Sequence, residues 1–186
     1  FLEGEMFAKK QNNDILCNNL GRFLGNLSVS LKKFSDSEAH RNFIWDSSNI
    51  DWIENEISLF SDKKKKGIIK MVLESYKNNF KNRTGNIRYS IIHGDANNYN
   101  IVVNNNNIVG LLDYGDVIYA PTVCELTVAL AYSLMNTNQL IERCCNMIKA
   151  YQSVYVLNKD EVKSISTLIC SRLLITVTMA NKQQKK

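Results

Sequence analysis

The chain has 186 residues, of which 45% are hydrophobic, and carries a net charge of +5. This length suits one domain, and the hydrophobic fraction is sufficient for a buried core. The modest positive charge suits anionic ligands such as nucleotides. No aromatic residues interleave with the densest basic run, residues 63–66, so we predict a solvated helix face there and no nucleic-acid partner.

Most of the chain shows apolar residues at helical spacing, which predicts a mainly helical α+β fold. Asp62 is an expected helix cap, Asn158 or Asp160 another, and Gly85 is expected to end a helix. In chain order, the pattern predicts helices over residues 13–33, 37–45, 50–60, 62–80, 121–134, 139–152 and 158–177, strands over residues 89–92, 101–103 and 108–112, a break at residues 136–138 and a polar, frayed tail from residue 181.

The cysteines and the hydropathy favour a cytosolic protein. The five cysteines show no C-x-x-C spacing, and with two histidines in the chain we expect no zinc site. Reduced thiols indicate the cytosol. We find no apolar stretch long enough to span a membrane and no signal-peptide pattern at Phe1, so we expect no membrane partner.

Two short loops beside the predicted hairpin carry the most informative residues. His93-Gly-Asp-Ala-Asn-Asn-Tyr-Asn100 follows the first strand, and Asp113-Tyr-Gly follows the last. Phosphoryl transfer needs an Asp that orients and deprotonates the acceptor hydroxyl, and an Asn and a second Asp that hold the metal. The D-x-x-x-x-N spacing of Asp95 and Asn100 is that of a kinase catalytic loop, and Asp113 begins a D-F-G-like triplet. We predict Asp95 as the catalytic residue and Asn100 and Asp113 as metal ligands.

Each of these residues also has an ordinary interpretation. The chain contains 24 Asn, so an Asn five positions after an Asp is weak evidence alone. Asp is also common at the start of turns, which is an ordinary interpretation of Asp113. The order of the elements favours the kinase-like interpretation, because the pattern is loop, strand, turn, strand, loop with acidic residues at both ends.

These residues resemble the aminoglycoside phosphotransferase family, which includes choline kinases and homoserine-kinase-like enzymes. Members carry H-G-D-x-x-x-x-N followed by a hydrophobic strand and an I-D-[FWY]-[GE] loop. The resemblance implies the C-terminal lobe of a protein-kinase-like fold, with the small β-hairpin carrying both loops. It implies Mg²⁺ with ATP or GTP, and a small hydroxylated amine or amino acid as the phosphate acceptor. Residues 43–46, 112–116 and 171–178 resemble the hydroxylysine-kinase-like branch, in which some bacterial members are fused to a class III aminotransferase.

The resemblance places the whole chain, residues 1–186, in the C-terminal lobe. Residues 1–4 look like the end of the hinge between the lobes, and Lys32 and Lys33 stand where the family has a His. The N-terminal nucleotide-binding lobe is then absent from these residues, and no glycine-rich phosphate loop occurs in them. We therefore expect weak nucleotide binding and little turnover from these residues alone.

Four further residues are candidates around the site. Asp116 is expected either to bind a cationic amine of the substrate or to hold the loop. Arg172 lies in an apolar helix stretch, where a charge needs a partner, so we expect it to meet a substrate carboxylate or a buried acidic residue. Glu125 matches a family position that is structural near the site, and His93 is expected to be structural too.

A second class of function remains open at this stage. The chain is either a small-molecule kinase lobe acting on an amino alcohol or hydroxy amino acid, or a non-catalytic kinase-like binding or regulatory module. The intact Asp95, Asn100 and Asp113 favour the first. Aminoglycoside modification ranks lower, because aminoglycoside sites need an acidic C-terminal surface and the last helix carries Lys163 and Arg172.

Overall fold

The structure, a computed structural model, describes residues 2–10, 13–133, 135 and 138–184. Five α-helices form nearly half of this part of the chain: α1 (Asp14–Leu31), α2 (Lys63–Asn79), α3 (Val123–Ser133), α4 (Leu140–Gln152) and α5 (Lys159–Gln184). Its strands are β1 (Glu5–Met6), β2 (Tyr89–Ile92), β3 (Ile101–Asn104), β4 (Asn107–Leu111) and β5 (Ile118–Pro121). Short 3₁₀ helices cover Phe7–Lys9, Ser37–Ala39, Asp51–Leu59, Lys81–Asn86 and Tyr114–Asp116. The mainly helical α+β fold is thus confirmed.

Two small antiparallel sheets hold the centre of the chain. In the first, β3 lies between β1 and β4, and β3 and β4 form the predicted hairpin. In the second, β2 pairs with β5, a strand that the sequence pattern did not predict. Because β5 follows the second loop directly, this pairing closes the loop back onto the first one.

Side-chain caps begin three of the helices. The Asn13 side chain accepts a hydrogen bond from the Leu16 amide at 2.9 Å, and Asp62 accepts from the Lys64 amide at 2.7 Å. Asn158, rather than Asp160, caps α5, because its side chain accepts from the amides of Asp160 and Glu161. Such caps satisfy amide donors that have no partner inside the helix.

The structure contradicts the predicted helix over residues 37–45 and the predicted helix end at Gly85. Residues 37–45 hold a 3₁₀ turn at Ser37–Ala39 and then an irregular segment, where the Asp46 side chain accepts from the amide and the hydroxyl of Ser48. Such local bonds compete with a helix. Helix α2 ends at Asn79 rather than at Gly85, because the buried Phe80 leaves the helical conformation.

The remaining differences concern residues 50–60 and the chain's last helix. Residues 50–60 form a 3₁₀ helix, Asp51–Leu59, instead of an α-helix. Helix α5 continues through Gln184, so the tail from residue 181 to that point is helical rather than frayed. Of the predicted break at residues 136–138, residues 136 and 137 lie outside the described part of the chain, and Asn138 is not helical.

Helix α5 is long and apolar enough, by length and composition, to cross a membrane, contrary to the sequence-based expectation. Half of its most apolar window is buried inside the protein, and its polar Ser171 and charged Arg172 are buried as well. It packs against α2 and α3. A core helix has these properties, so the composition of α5 is weak evidence for a membrane segment.

Candidate active site

The two loops that carry the predicted catalytic and metal-binding residues meet where the sheets adjoin. The first loop, residues 93–100, joins β2 to β3, and the second, residues 112–117, joins β4 to β5. The sheet registers place the ends of these strands beside each other, in the pairs Ile92–Ile118 and Ile101–Leu111. All four side chains are buried. The packed apolar strand ends therefore fix the points from which both loops leave.

Gly94 allows the loops to approach closely. Its φ is +79°, a left-handed conformation that favours glycine, and a Cβ there would lie 2.9 Å from the carbonyl oxygen of Asp116. At the other end of the first loop, the Leu112 amide donates to the Asn100 carbonyl at 2.8 Å. The H-G-D motif thus favours glycine at its second position because a side chain there would crowd the second loop.

The carboxylate of Asp95 is held at both oxygens. Oδ2 accepts hydrogen bonds from the side-chain amides of Asn97 and Asn100, each at 2.8 Å. Oδ1 accepts from Nη2 of Arg172 at 2.5 Å. A carboxylate oxygen offers about two lone-pair positions, so Oδ2 is filled and Oδ1 keeps one position open. A hydroxyl that donates to Asp95 must therefore reach Oδ1, on the side of Arg172.

Arg172 is one of the largest fully buried side chains and is 2% exposed. Its Nε donates to the Tyr132 hydroxyl at 3.0 Å, and its Nη1 donates to the Trp45 carbonyl at 2.9 Å. The Trp45 and Tyr132 rings lie 5.0 Å and 5.4 Å from the guanidinium carbon, within the range of cation–π contact. Of the two partners considered from the sequence, the structure shows an acidic residue, Asp95, whose side chain is 15% exposed rather than fully buried.

Asn100 and Asp113 present the oxygen ligands that a hard divalent cation prefers. The amide nitrogen of Asn100 donates to the carbonyl and carboxylate of Asp95, so its Oδ1 is turned away from those contacts. Asp113 is exposed and has φ +61°, a strained backbone conformation that Asp tolerates better than most residues. In the part of the chain that the structure describes, no group of three or more His, Cys, Asp and Glu could hold a metal. The donor set fits Mg²⁺, which often binds through one or two carboxylates and completes its shell with phosphates and water.

His93 and Glu125 support the catalytic loop from beneath. The fully buried His93 ring places Nε2 at 2.9 Å from the Leu112 carbonyl, and its Nδ1 lies 3.2 Å from the Asp95 amide. The neutral ring with a proton on Nε2 satisfies both contacts, and burial lowers the pKa of His93, which favours that form. These contacts tie the two loops together through one side chain.

Glu125, at the start of α3, accepts a hydrogen bond from the His93 amide at 2.6 Å through Oε2. It is 1% exposed, and its Oε1 has no hydrogen-bond partner among the described residues. Burial raises the pKa of Glu125 to about 7. Glu125 therefore anchors the loop at its first residue, at the cost of a poorly solvated carboxyl group.

Asp116 lies partly buried in the second loop, beside the catalytic centre. Burial raises the pKa of its carboxyl group, and the charges of Asp95 and Asp113 raise it further, while Arg172 and Arg41 oppose them. The structure thus brings together Asp95, Asn100 and Asp113 with Asp116 and Arg172, and places His93 and Glu125 directly behind them.

Several contacts were not found from the sequence. Asn97 donates to Asp95. The Tyr132 hydroxyl and the Trp45 carbonyl accept from Arg172. Arg41 donates from Nη2 to the carbonyls of Gly115 at 2.6 Å and Val117 at 3.1 Å. Arg41 and Trp45 lie in the irregular segment after α1, where the sequence pattern predicted a helix and gave no sign of contact with the two loops. Asn97 is the exception, because its position inside the D-x-x-x-x-N motif is a signal that could have been used.

The fold is that of kinase-like phosphotransferases. A microcompartment-associated aminopropanol kinase superposes with a TM-score of 0.75 at 14% identity, over 96% of this chain and 57% of that one. An amicoumacin kinase in complex with AMP-PNP, Ca²⁺ and its antibiotic gives a TM-score of 0.69 at 15% identity, over 98% and 56%. These similarities show the fold.

The chain belongs to the phosphotransferase enzyme family named APH, whose model matches residues 1–152. Among curated proteins it is similar to the hydroxylysine kinase of Mus musculus, with 26% identity over 174 residues, 87% of this chain and 46% of that protein. The chain spans about half the length of the curated relatives it matches. The family expected from the two motifs is therefore confirmed.

Proposed function

We propose that the protein transfers the γ-phosphoryl group of ATP or GTP to a hydroxyl group of an amino alcohol or a hydroxy amino acid. The observation that carries this proposal is the position of Asp95, whose Oδ1 keeps a lone pair free while Asn100 links it to the metal-binding side of the site. Family membership and the Asp113 loop support it.

The roles follow from the contacts. The acceptor hydroxyl donates a hydrogen bond to Asp95 Oδ1, which aims its oxygen at the γ-phosphorus. As the new O–P bond forms and the bond to the β-phosphate oxygen breaks, the nucleoside diphosphate leaves and the hydroxyl proton passes to Asp95. A loose transition state asks for orientation more than for a strong base. The three hydrogen bonds that hold Asp95 supply this orientation.

Asn100 Oδ1 and the Asp113 carboxylate are the groups that would hold Mg²⁺. When bound, the ion neutralises charge on the phosphates during the transfer. Asp113 brings a full negative charge from an exposed loop position, and Asn100 brings a neutral oxygen whose orientation is set by its bonds to Asp95.

The acceptor class is supported by the named relatives, which include hydroxylysine kinases and an aminopropanol kinase. In this chain Asp116 stands beside Asp95 and suits an ammonium group, as such acceptors carry. None of the five cysteines, all of which the structure describes, is in a disulfide, which fits the cytosolic location that we propose.

The proposal is tested by offering the full gene product a panel of acceptors with Mg-ATP or Mg-GTP. The panel holds hydroxylysine, ethanolamine, choline, homoserine and kanamycin, and the product is identified by mass as the phosphate ester of the acceptor. We expect ester formation with an amino alcohol or hydroxy amino acid. Nucleotide hydrolysis without ester, or nucleotide binding without turnover, would contradict the proposal; the second result favours a non-catalytic module.

A further inference from the structure

Two charged groups beside the catalytic centre have no role in holding Asp95 or a metal. The first is Asp116, which is partly buried and receives no side-chain hydrogen bond or ion pair from the described residues. Its electrostatic neighbours are Asp95, Asp113, Arg172 and Arg41. A desolvated carboxylate without a donor is unfavourable, and a cationic ligand would relieve that cost.

The second group is the guanidinium of Arg41. It uses Nη2 for two backbone carbonyls, those of Gly115 and Val117, which flank Asp116 in the chain. It also lies over the Phe43 ring, with 4.6 Å between the guanidinium carbon and the ring centroid. The carbonyls and the ring fix the plane of the group, while Nε and Nη1 keep their donors free among the described residues. Arg41 is exposed, so an incoming ligand can reach these donors.

Arg172 cannot serve an acceptor in the same way. It is 2% exposed, and each of its three nitrogens already donates a hydrogen bond. Its charge is matched by that of Asp95. Of the charges that act on Asp116, this leaves Arg41 as the accessible cation. No ion pair within 4.0 Å joins Arg41 to Asp116 in the described chain, so neither charged group is neutralised by direct contact with the other.

We propose that Asp116 and Arg41 form the acceptor subsite, in which Asp116 binds an ammonium group and Arg41 binds a carboxylate of the same molecule. The acceptor is then a zwitterionic hydroxy amino acid rather than an amino alcohol. This inference rests on the proposed phosphotransferase function and narrows it. Asp95 Oδ1 keeps one lone pair besides the one that Arg172 uses, so the hydroxyl of a molecule held by Asp116 and Arg41 has a place to donate. Guanidinium groups suit carboxylates because their donors match both oxygens.

The test compares a hydroxy amino acid with its own carboxamide. The full gene product receives hydroxylysine or hydroxylysinamide at saturating Mg-nucleotide, and kcat/KM is measured for wild type, Arg41→Gln and Arg41→Lys. The control is Arg22→Gln, which removes another exposed arginine, on α1. We expect wild type to prefer the acid by about 10- to 100-fold, the range for a hydrogen-bonded charge pair. Arg41→Gln should lower the rate on the acid more than the rate on the amide, so that most of this preference is lost, and Arg41→Lys should keep part of it.

Asp116 has a parallel test. Asp116→Asn should weaken the use of hydroxylysine more than that of the same molecule acetylated on both amines, since the acetylated form has no ammonium group for the carboxylate to bind. Equal rates of wild type on the acid and the amide would overturn the inference while leaving phosphotransferase activity intact. The same holds if Arg41→Gln lowers both rates equally, because Arg41 would then only hold the loop. No ester from any acceptor would instead refute the proposed function and the inference with it.

Discussion

Arg172 donates to Asp95 across 77 residues of sequence, and this ion pair lies almost completely out of solvent. It joins α5 to the loop between β2 and β3, two elements that share no local sequence pattern. Tyr132 of α3 and the Trp45 carbonyl hold the same guanidinium. The orientation of Asp95 therefore depends on its own loop, on α5, on α3 and on the irregular segment around Trp45.

Replacing Arg172 should impair turnover more than nucleotide binding. In Arg172→Met, Oδ1 of Asp95 loses its donor and a buried carboxylate loses its countercharge, so we expect kcat to fall by about 100-fold. The KM for nucleotide should change by less than about threefold, since none of the hydrogen bonds of Arg172 goes to Asn100 or Asp113. Arg172→Lys should recover part of kcat because it restores the charge. Steady-state kinetics of the full gene product measure both parameters.

A matched control lies on the same helix. Lys182 pairs with Glu56 at 2.6 Å, far from the catalytic loop, and Lys182→Met removes that ion pair. We expect its kcat to stay within about twofold of wild type, since this pair is partly exposed and neither partner contacts Asp95 or the residues that hold it. An equal loss of kcat in the two variants would mean that Arg172 acts through the stability of α5.

The stability of the protein should depend on the ionisation of Glu125. Its pKa is about 7 in the folded protein and 4.5 for the ordinary side chain, so the folded state binds more protons between these values. The free energy of unfolding should therefore fall as pH rises through this window, by at most about 1.4 kcal/mol per pH unit. Glu125→Gln should remove this decline, which urea unfolding at a series of pH values measures.

The control for this prediction is Glu142→Gln, which changes an exposed carboxylate in the first turn of α4. It should leave the pH dependence as in wild type. A wild-type stability that stays flat or rises between about pH 4.5 and 7 relative to Glu125→Gln would show that the buried carboxyl is stabilised by a partner.

Two glycines in helices should respond to alanine in opposite directions. A Cβ at Gly21 in α1 would lie 2.4 Å from the Met147 carbonyl of α4, a contact that backbone cannot relieve without shifting the helices. We expect Gly21→Ala to lower the free energy of unfolding by about 1–3 kcal/mol. A Cβ at Gly67 in α2 meets nothing within 4 Å, so Gly67→Ala should raise stability by about 0.5–1 kcal/mol. Urea unfolding compares the two, and a stabilised Gly21→Ala would contradict the close packing of α1 on α4.

The catalytic and metal-binding residues could be predicted because each lies in a short, contiguous sequence motif. Asp95, Asn100 and Asp113 lie in two short motifs around a hairpin, and the β-strand periodicity locates both motifs at strand ends. The contacts of Arg172 depend instead on how α5 packs against α3 and the irregular segment, which no sequence spacing encodes. The sequence narrowed its partner to a substrate or an acidic residue, and tertiary packing selected Asp95.

In the segment from residue 40 to residue 50, by contrast, the local sequence pattern led to a wrong prediction. Its apolar residues suggested a helix, yet its backbone carbonyl at Trp45 is used by Arg172 and the Asp46 side chain forms its own turn. Tertiary contacts with the catalytic centre therefore outweigh local helix propensity there.

Asp113 should control the requirement for metal. Asp113→Asn keeps an oxygen but loses the charge, so the Mg²⁺ concentration for half-maximal activity should rise by more than about tenfold. Titration of Mg²⁺ at fixed nucleotide measures this, with Asp36→Asn as a control at an exposed carboxylate in the turn after α1. An unchanged Mg²⁺ requirement in Asp113→Asn would remove this residue from the metal site.

The most direct test is phosphate-ester formation by Asp95→Ala in the full gene product, at saturating Mg-nucleotide and acceptor, with nucleotide affinity measured on the same variant. We predict a loss of kcat of about a thousandfold with a nucleotide Kd within about threefold of wild type, because Asp95 orients the acceptor hydroxyl rather than the phosphates. Robust transfer by Asp95→Ala would contradict the account, since the proposed mechanism has no other residue that accepts the hydrogen bond and the proton of the acceptor hydroxyl.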